Sequence, residues 1–214
     1  MKNHLRLLLD RLPELAPLEN ALEATVAALE KAYWAKGKIL VCGNGGSAAD
    51  AEHIVGELMK GFLLRRPLPE KLARKLEANG CPPELCAMLQ QGIPAISLVS
   101  GVALPTAFAN DVAWEAGFAQ QVLALGKRGD VLISLSTSGN SKNVIAAMRV
   151  ARALGLINIG LTGNRDCAMR NLADILIAAP SAQTPEIQEF HLAIYHALCA
   201  GLEARLFGEG AGDA

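Results

Sequence analysis

Val131 to Asn143 reads VLISLSTSGNSKN, and VIAAMRVARALG follows it. An apolar run, a polar break bearing glycine, and then apolar residues at helical spacing predict a buried strand, a loop and a helix. This is how an α/β protein builds an anion site. The loop's N–H groups and the helix N-terminus point at one place, and hydroxyls add donors. Ser136, Thr137, Ser138 and Ser141 crowd this loop. A single helix cap needs one such residue, so four favour a bound phosphate over a plain cap and turn. Lys142 follows Ser141 rather than preceding a Ser or Thr, which argues against a nucleotide P-loop.

A second unit of the same kind lies upstream. Lys38 to Cys42, KILVC, is a short apolar strand, and GNGGSAADAEHIVGELMKGF follows. Gly43, Gly45 and Gly46 make a tight turn open to a ligand. Ser47 and Asp50 open a helix that runs to about Lys60. The third glycine of a dinucleotide fingerprint is missing, so no NAD site is expected.

Further strands are expected at Ile93–Val99, Leu156–Leu161 and Ile175–Ala179. Helical stretches fall through TAFAND, over Ala113–Leu125 with Trp114, Phe118 and Val122 as its apolar stripe, and over Cys167–Leu172. A long last helix runs from Pro185 to Leu206. Five strands alternating with helices predict a parallel sheet covered on both faces, with ligands beyond the strands' carboxyl ends. Residues 3–36 read as two amphipathic helices broken by Pro13 and Pro17. They cover the core or pack on another subunit. Residues 63–93 interrupt the rhythm with a basic, proline-punctuated segment of two short helices: a flap, a subunit contact or a solvated decoration.

With Lys and Arg at 20 against Asp and Glu at 21, nothing points to nucleic acid or a membrane surface as partner. The amino-terminal stretch reads as an amphipathic helix rather than a signal peptide, and no apolar run approaches the roughly 18 residues of a membrane span. Five scattered cysteines suit reduced thiols and a cytoplasmic protein. Cys81 and Cys86 have a poor zinc spacing and no second pair.

His53 and Glu57 stand at i and i+4 on one helical face. Such a pair binds a metal, works as base and acid, or is an ordinary surface pair. Gln188 and His196, on the last helix, are eight apart, about 12 Å along the axis. They reach one centre only if it lies between them. No nucleophile elbow and no HExxH are present.

GNGGSAADAEH-IVGEL, AFANDVA, SLSTSGNSKN, LTG and IQEFHLAIYH, in that order, resemble the phosphoheptose isomerases of the SIS (sugar isomerase) domain superfamily. The resemblance covers most of residues 18–207 apart from 63–93. It implies a single SIS domain over 1–214 with a flavodoxin-like three-layer fold, and a homotetramer whose sites are shared between subunits. It implies phosphate and sugar contacts from Ser136, Thr137, Ser138, Ser141 and Ser47, with Asn44 and Asp111 lining the sugar. It implies one zinc ion per site on His53, Glu57, Gln188 and His196, with Glu57 and His196 as the acid/base pair. The reaction implied is isomerisation of sedoheptulose 7-phosphate to D-glycero-D-manno-heptose 7-phosphate through an enediol or enediolate, for surface polysaccharide or nucleotide-heptose synthesis. The alternatives are a non-catalytic SIS protein that binds a sugar phosphate or a protein, as one relative binds the replication initiator, and an enzyme acting on another phosphosugar. Where the family commonly has an arginine after the His/Glu helix, this chain has Gly61 beside Lys60. Where an acidic residue often stands three before the glutamine, it has Pro185. Best-known members lack residues 63–93.

Overall fold

A computed structural model describes residues 3–208, so residues 1–2 and 209–214 of the expected domain lie outside the described residues. The chain opens with α1 (His4–Arg11), whose first turn is capped by Asn3: its side-chain oxygen accepts from Arg6 N at 3.0 Å. A 3₁₀ turn over Pro13–Leu18, the proline-rich break, leads into α2 (Glu19–Trp34). Then follow β1 (Ile39–Cys42), α3 (Gly46–Met59), α4 (Glu70–Ala78), α5 (Pro83–Met88), β2 (Ala95–Ser97) and α6 (Ala103–Asp111). The remainder is α7 (Gly117–Leu125), β3 (Val131–Leu135), α8 (Lys142–Leu154), β4 (Ile157–Thr162), β5 (Ile175–Ala178) and α9 (Thr184–Phe207).

The five strands pair in the order β2-β1-β3-β4-β5, all parallel. This is the doubly wound flavodoxin-like order. Alternate strand residues divide the core. Ile39, Val41, Val131, Ile133, Leu135, Ile159, Leu161 and Ile177 face the layer of α1, α2, α3 and α9. Leu40, Cys42 and Leu132 face the layer of α7 and α8. A strand buried on both faces has no polar side to show, which is why KILVC and VLISL read as unbroken apolar runs. Each such aliphatic side chain contributes roughly 1.5–3 kcal/mol when buried.

One expectation fails. Trp114 is 56% exposed, while Phe118 and Val122 are buried. Trp114–Ala116 forms a separate 3₁₀ turn before α7. Its three-residue period puts Trp114 out of register with the α-helical stripe.

Residues 63–93 fold as an excursion closed at its base. Pro67 and Gln90 form an antiparallel bridge, and Gln91 N donates to Arg66 O at 2.7 Å. Beyond that base α4 buries none of its residues and α5 buries only Cys86. The base itself is tied to α9 by a buried ion pair. Arg66 Nε donates to Glu203 Oε1 at 2.7 Å, with side chains 0% and 1% exposed. The same carboxylate accepts from the backbone N–H groups of Phe62, Leu63 and Leu64. Arg66 Nη1 also donates to Leu58 O at 2.8 Å, closing the carboxyl end of α3.

Candidate active site

β1 and β3 are neighbours, with Cys42 opposite Ser134. The chain leaves β1 for β2 on one side and β3 for β4 on the other, so their carboxyl ends border the crevice where α/β proteins bind ligands. Both glycine loops open there. Gly45 takes a left-handed φ of +57° in the first. In the second, Gly139 at φ +62° lies against Cys167 Sγ, where a Cβ would collide.

The hydroxyls of the second loop face one another. Ser136 Oγ is 3.0 Å from Ser141 Oγ and 3.4 Å from Ser138 Oγ. Ser141 stands at the N-cap of α8, yet its side chain makes no capping bond. The plain cap-and-turn reading therefore lacks its defining contact: the hydroxyls of Ser136, Ser138 and Ser141 bond to one another, and Ser138 Oγ accepts from Asn140 N at 3.2 Å. The loop is braced from below: Gly163 N donates to Thr137 O at 3.2 Å, and Ala168 N to Asn140 Oδ1 at 2.9 Å. Ser47, on the first turn of α3, is 3% exposed.

The two loops are joined by a residue the sequence did not single out. Asn44 Nδ2 donates to Asn143 Oδ1 and Asn143 Nδ2 donates to Asn44 Oδ1, both at 2.8 Å. Both asparagines line a pocket of about 210 Å³ with Gly43, Gly45, Trp114 and Phe118. Asp111, expected beside the sugar, stays exposed at the end of α6, accepts from Asn110 Nδ2 at 2.8 Å, and is not among the lining residues.

A second cluster forms on the outer turns of α3 and α9. His53 Nε2 lies 3.3 Å from Glu57 Oε1 and 3.5 Å from His196 Nε2. Lys60 Nζ pairs with the other oxygen of Glu57. Burial, then the neighbouring His53, lowers the pKa of His196. Tyr195, buried at 2% exposure, reaches His53 Nδ1 at 2.9 Å and Asp50 Oδ1 at 3.3 Å. Burial raises the pKa of Asp50, and burial followed by Asp50's charge raises that of Tyr195. Tyr195 also went unnoticed in the sequence, where it reads as one more apolar position of the last helix.

Gln188 is not with this cluster in the single chain. Its side-chain amide packs on Gly46 at the amino end of α3. His53, Glu57 and His196 are thus brought together, and Gln188 sits nearer the glycine loops. The trio suits a small divalent ion in donor type. Tetrahedral zinc with bonds of about 2.0–2.1 Å has ligands about 3.3 Å apart, and the two separations here are 3.3 and 3.5 Å. Among the described residues no group of three or more His, Cys, Asp or Glu side chains stands where it could hold a metal ion, so the trio matches zinc in donor type and in two separations but would have to rearrange to close on it.

The SIS domain family model matches residues 3–85 and 84–163. The chain is 41% identical over 195 residues to the phosphoheptose isomerase of Burkholderia pseudomallei strain 1710b, covering 91% of this chain and 85% of that one. The fold is similar to a solved phosphoheptose isomerase from Neisseria gonorrhoeae, with TM-score 0.73, 31% identity and 91% of each chain covered. A solved phosphoheptose isomerase from Francisella tularensis gives TM-score 0.72 at 32% identity, covering 86% of this chain and 85% of that one. No helix among the described residues is long and apolar enough to cross a membrane.

Proposed function

Because the chain belongs to the SIS domain family, and within it to the phosphoheptose isomerases, we propose that it is a phosphosugar isomerase that converts sedoheptulose 7-phosphate to D-glycero-D-manno-heptose 7-phosphate. The observation that carries the chemistry is the convergence of His53, Glu57 and His196. Glu57 takes the C1 proton of the ketose and returns it to C2. His196 gives a proton to the C2 oxygen and receives one from the C1 hydroxyl, so the protons balance through an enediol. Each positioned proton transfer contributes about 10²–10⁴-fold. Ser136, Thr137, Ser138 and Ser141, with Ser47, hold the far phosphate. That remote binding energy fixes the reacting carbons, and Asn44, which lines the pocket, contacts the sugar.

His53, Glu57 and His196, joined by Gln188, would hold a zinc ion, which supplies Lewis-acid polarisation of the carbonyl and hydroxyl oxygens. Gln188 reaches such a centre only by leaving Gly46, or from another subunit. The second route fits a homotetramer with shared sites, and the exposed Val102, Val112, Trp114 and Leu123 are surface it would bury. The chain works in the cytoplasm, in keeping with its five free thiols.

Incubation with sedoheptulose 7-phosphate, with and without zinc, tests the reaction. The aldose is expected, and its absence under both conditions overturns the reading. Glu57→Gln is expected to retain phosphosugar binding while isomerisation falls by about 10²–10⁴-fold. Wild-type turnover in that variant would remove Glu57 as the base. Light scattering of the purified chain reads the tetramer.

A further inference from the structure

The hydroxyl of Tyr195 bridges two groups that take no part in the proton transfers. It lies 2.9 Å from His53 Nδ1 and 3.3 Å from Asp50 Oδ1. Tyr195 is buried on α9, and its ring meets the His53 ring edge-on at 5.3 Å between centroids. A phenol has one proton to give. Given to Asp50, it leaves the phenol oxygen to accept from His53 Nδ1–H. Given instead to His53 Nδ1, it leaves the Asp50 carboxylate without that donor, and Asp50 Oδ2 is already buried with no partner. The first arrangement gives the phenol, Asp50 Oδ1 and His53 Nδ1 each a partner.

On the other side of the ring, Glu57 Oε1 lies 3.3 Å from His53 Nε2. Left alone, that carboxylate would draw the imidazole proton to Nε2 and block the nitrogen. We infer that Tyr195 and Asp50 are positioning residues that hold His53 as its Nδ1–H tautomer, with the Nε2 lone pair open toward Glu57 and His196. Metal-binding histidines ordinarily give their second N–H to a carboxylate or carbonyl; here a tyrosine is inserted between imidazole and carboxylate. The consequence for zinc rests on the reading of His53 as a ligand, whereas the tautomer does not.

The test uses the full chain stripped of metal with a chelator. Nitrogen-15 spectra of labelled histidines, at a pH where imidazole is neutral, report the tautomer directly. His53 is expected as Nδ1–H in the wild type. In Tyr195→Phe, which keeps the ring, the proton is expected to move to Nε2 while the melting curve stays that of a folded protein. Titration with zinc alone is expected to show about 10–100-fold weaker binding in that variant. Asp50→Asn is expected to add nothing in the Tyr195→Phe background, because Asp50 acts through the hydroxyl. A wild-type His53 protonated at Nε2, or an unchanged tautomer in Tyr195→Phe, overturns the inference. An Nδ1–H wild type that takes up no zinc upholds it and sinks the metal reading instead.

Discussion

Asn44 and Asn143 stand 99 residues apart and exchange a pair of 2.8 Å hydrogen bonds across the mouth of the crevice. The orientation of the pair is fixed, since Val144 N also donates to Asn143 Oδ1 at 3.0 Å. With the amide of Asn143 set by the backbone of α8, that of Asn44 is set in turn. Asn143→Ala is expected to leave the half-buried Asn44 amide without its partner, costing about 1–3 kcal/mol in urea unfolding. The Michaelis constant for the phosphosugar should rise, because both glycine loops lose their tie. Unchanged stability and unchanged KM together would show that the pair is incidental.

The hydroxyl cluster makes a separable claim. Ser136 is 4% exposed and touches Ser141 and Ser138 only through hydroxyls. A hydrogen bond to a charged group is worth about 1.5–3 kcal/mol, so Ser136→Ala should weaken phosphosugar binding by roughly 10–100-fold. The catalytic constant should change far less, since the loop holds the end that does not react. Inorganic phosphate inhibition should weaken in parallel. An intact phosphate inhibition constant would move the anion elsewhere.

Glu203 carries the largest expected stability effect. Its carboxylate accepts from three consecutive backbone N–H groups and from Arg66. Glu203→Gln leaves the Arg66 guanidinium buried without its counter-charge, and breaking such a pair costs about 3–5 kcal/mol. The melting temperature should drop by roughly 10 °C, at about 2–4 °C per kcal/mol for a chain of this size. A drop of a degree or less would mean that water replaces the lost charge.

Acid sensitivity should trace in part to His191. It is fully buried, its Nε2 faces Thr162 O at 3.3 Å, and its Nδ1 has no partner. Burial pushes its pKa down to about 4. Between that value and the ordinary 6.5 the unfolded chain holds a proton that the native chain refuses, so stability rises with pH there. The contribution is complete above pH 6.5 and is lost as pH falls, about 2 kcal/mol of it by pH 5. His191→Gln should flatten that part of the urea-midpoint profile between pH 7.5 and 5. A parallel profile would clear His191 of the role.

What the sequence disclosed follows from range. Strand, loop and helix in VLISLSTSGNSKN are set by neighbours along the chain, and each was legible. So was the His53–Glu57 pair, because a helix alone puts i and i+4 together. The Asn44–Asn143 tie, the Arg66–Glu203 clamp and Tyr195 behind His53 were not legible. Each joins segments more than 90 residues apart, and each partner taken singly resembles an ordinary loop, surface or core residue. Gln188 and His196 show the limit in another way. Their spacing along α9 was plain, but only packing against α3 decides that one meets Gly46 and the other His53. Trp114 was misjudged because a change of helix type shifts the period without any glycine or proline inside the turn to announce it.

The meeting of Pro67 with Gln90 makes the span between them a detachable cassette. Its two ends are already side by side, so the loop-closing cost changes little when the contents change. A short turn, a reporter or a whole foreign domain could be spliced there without altering strand order or either ligand loop. The chain thus offers engineers a handle on its outer surface, and offers evolution a place to add length at little expense to the fold.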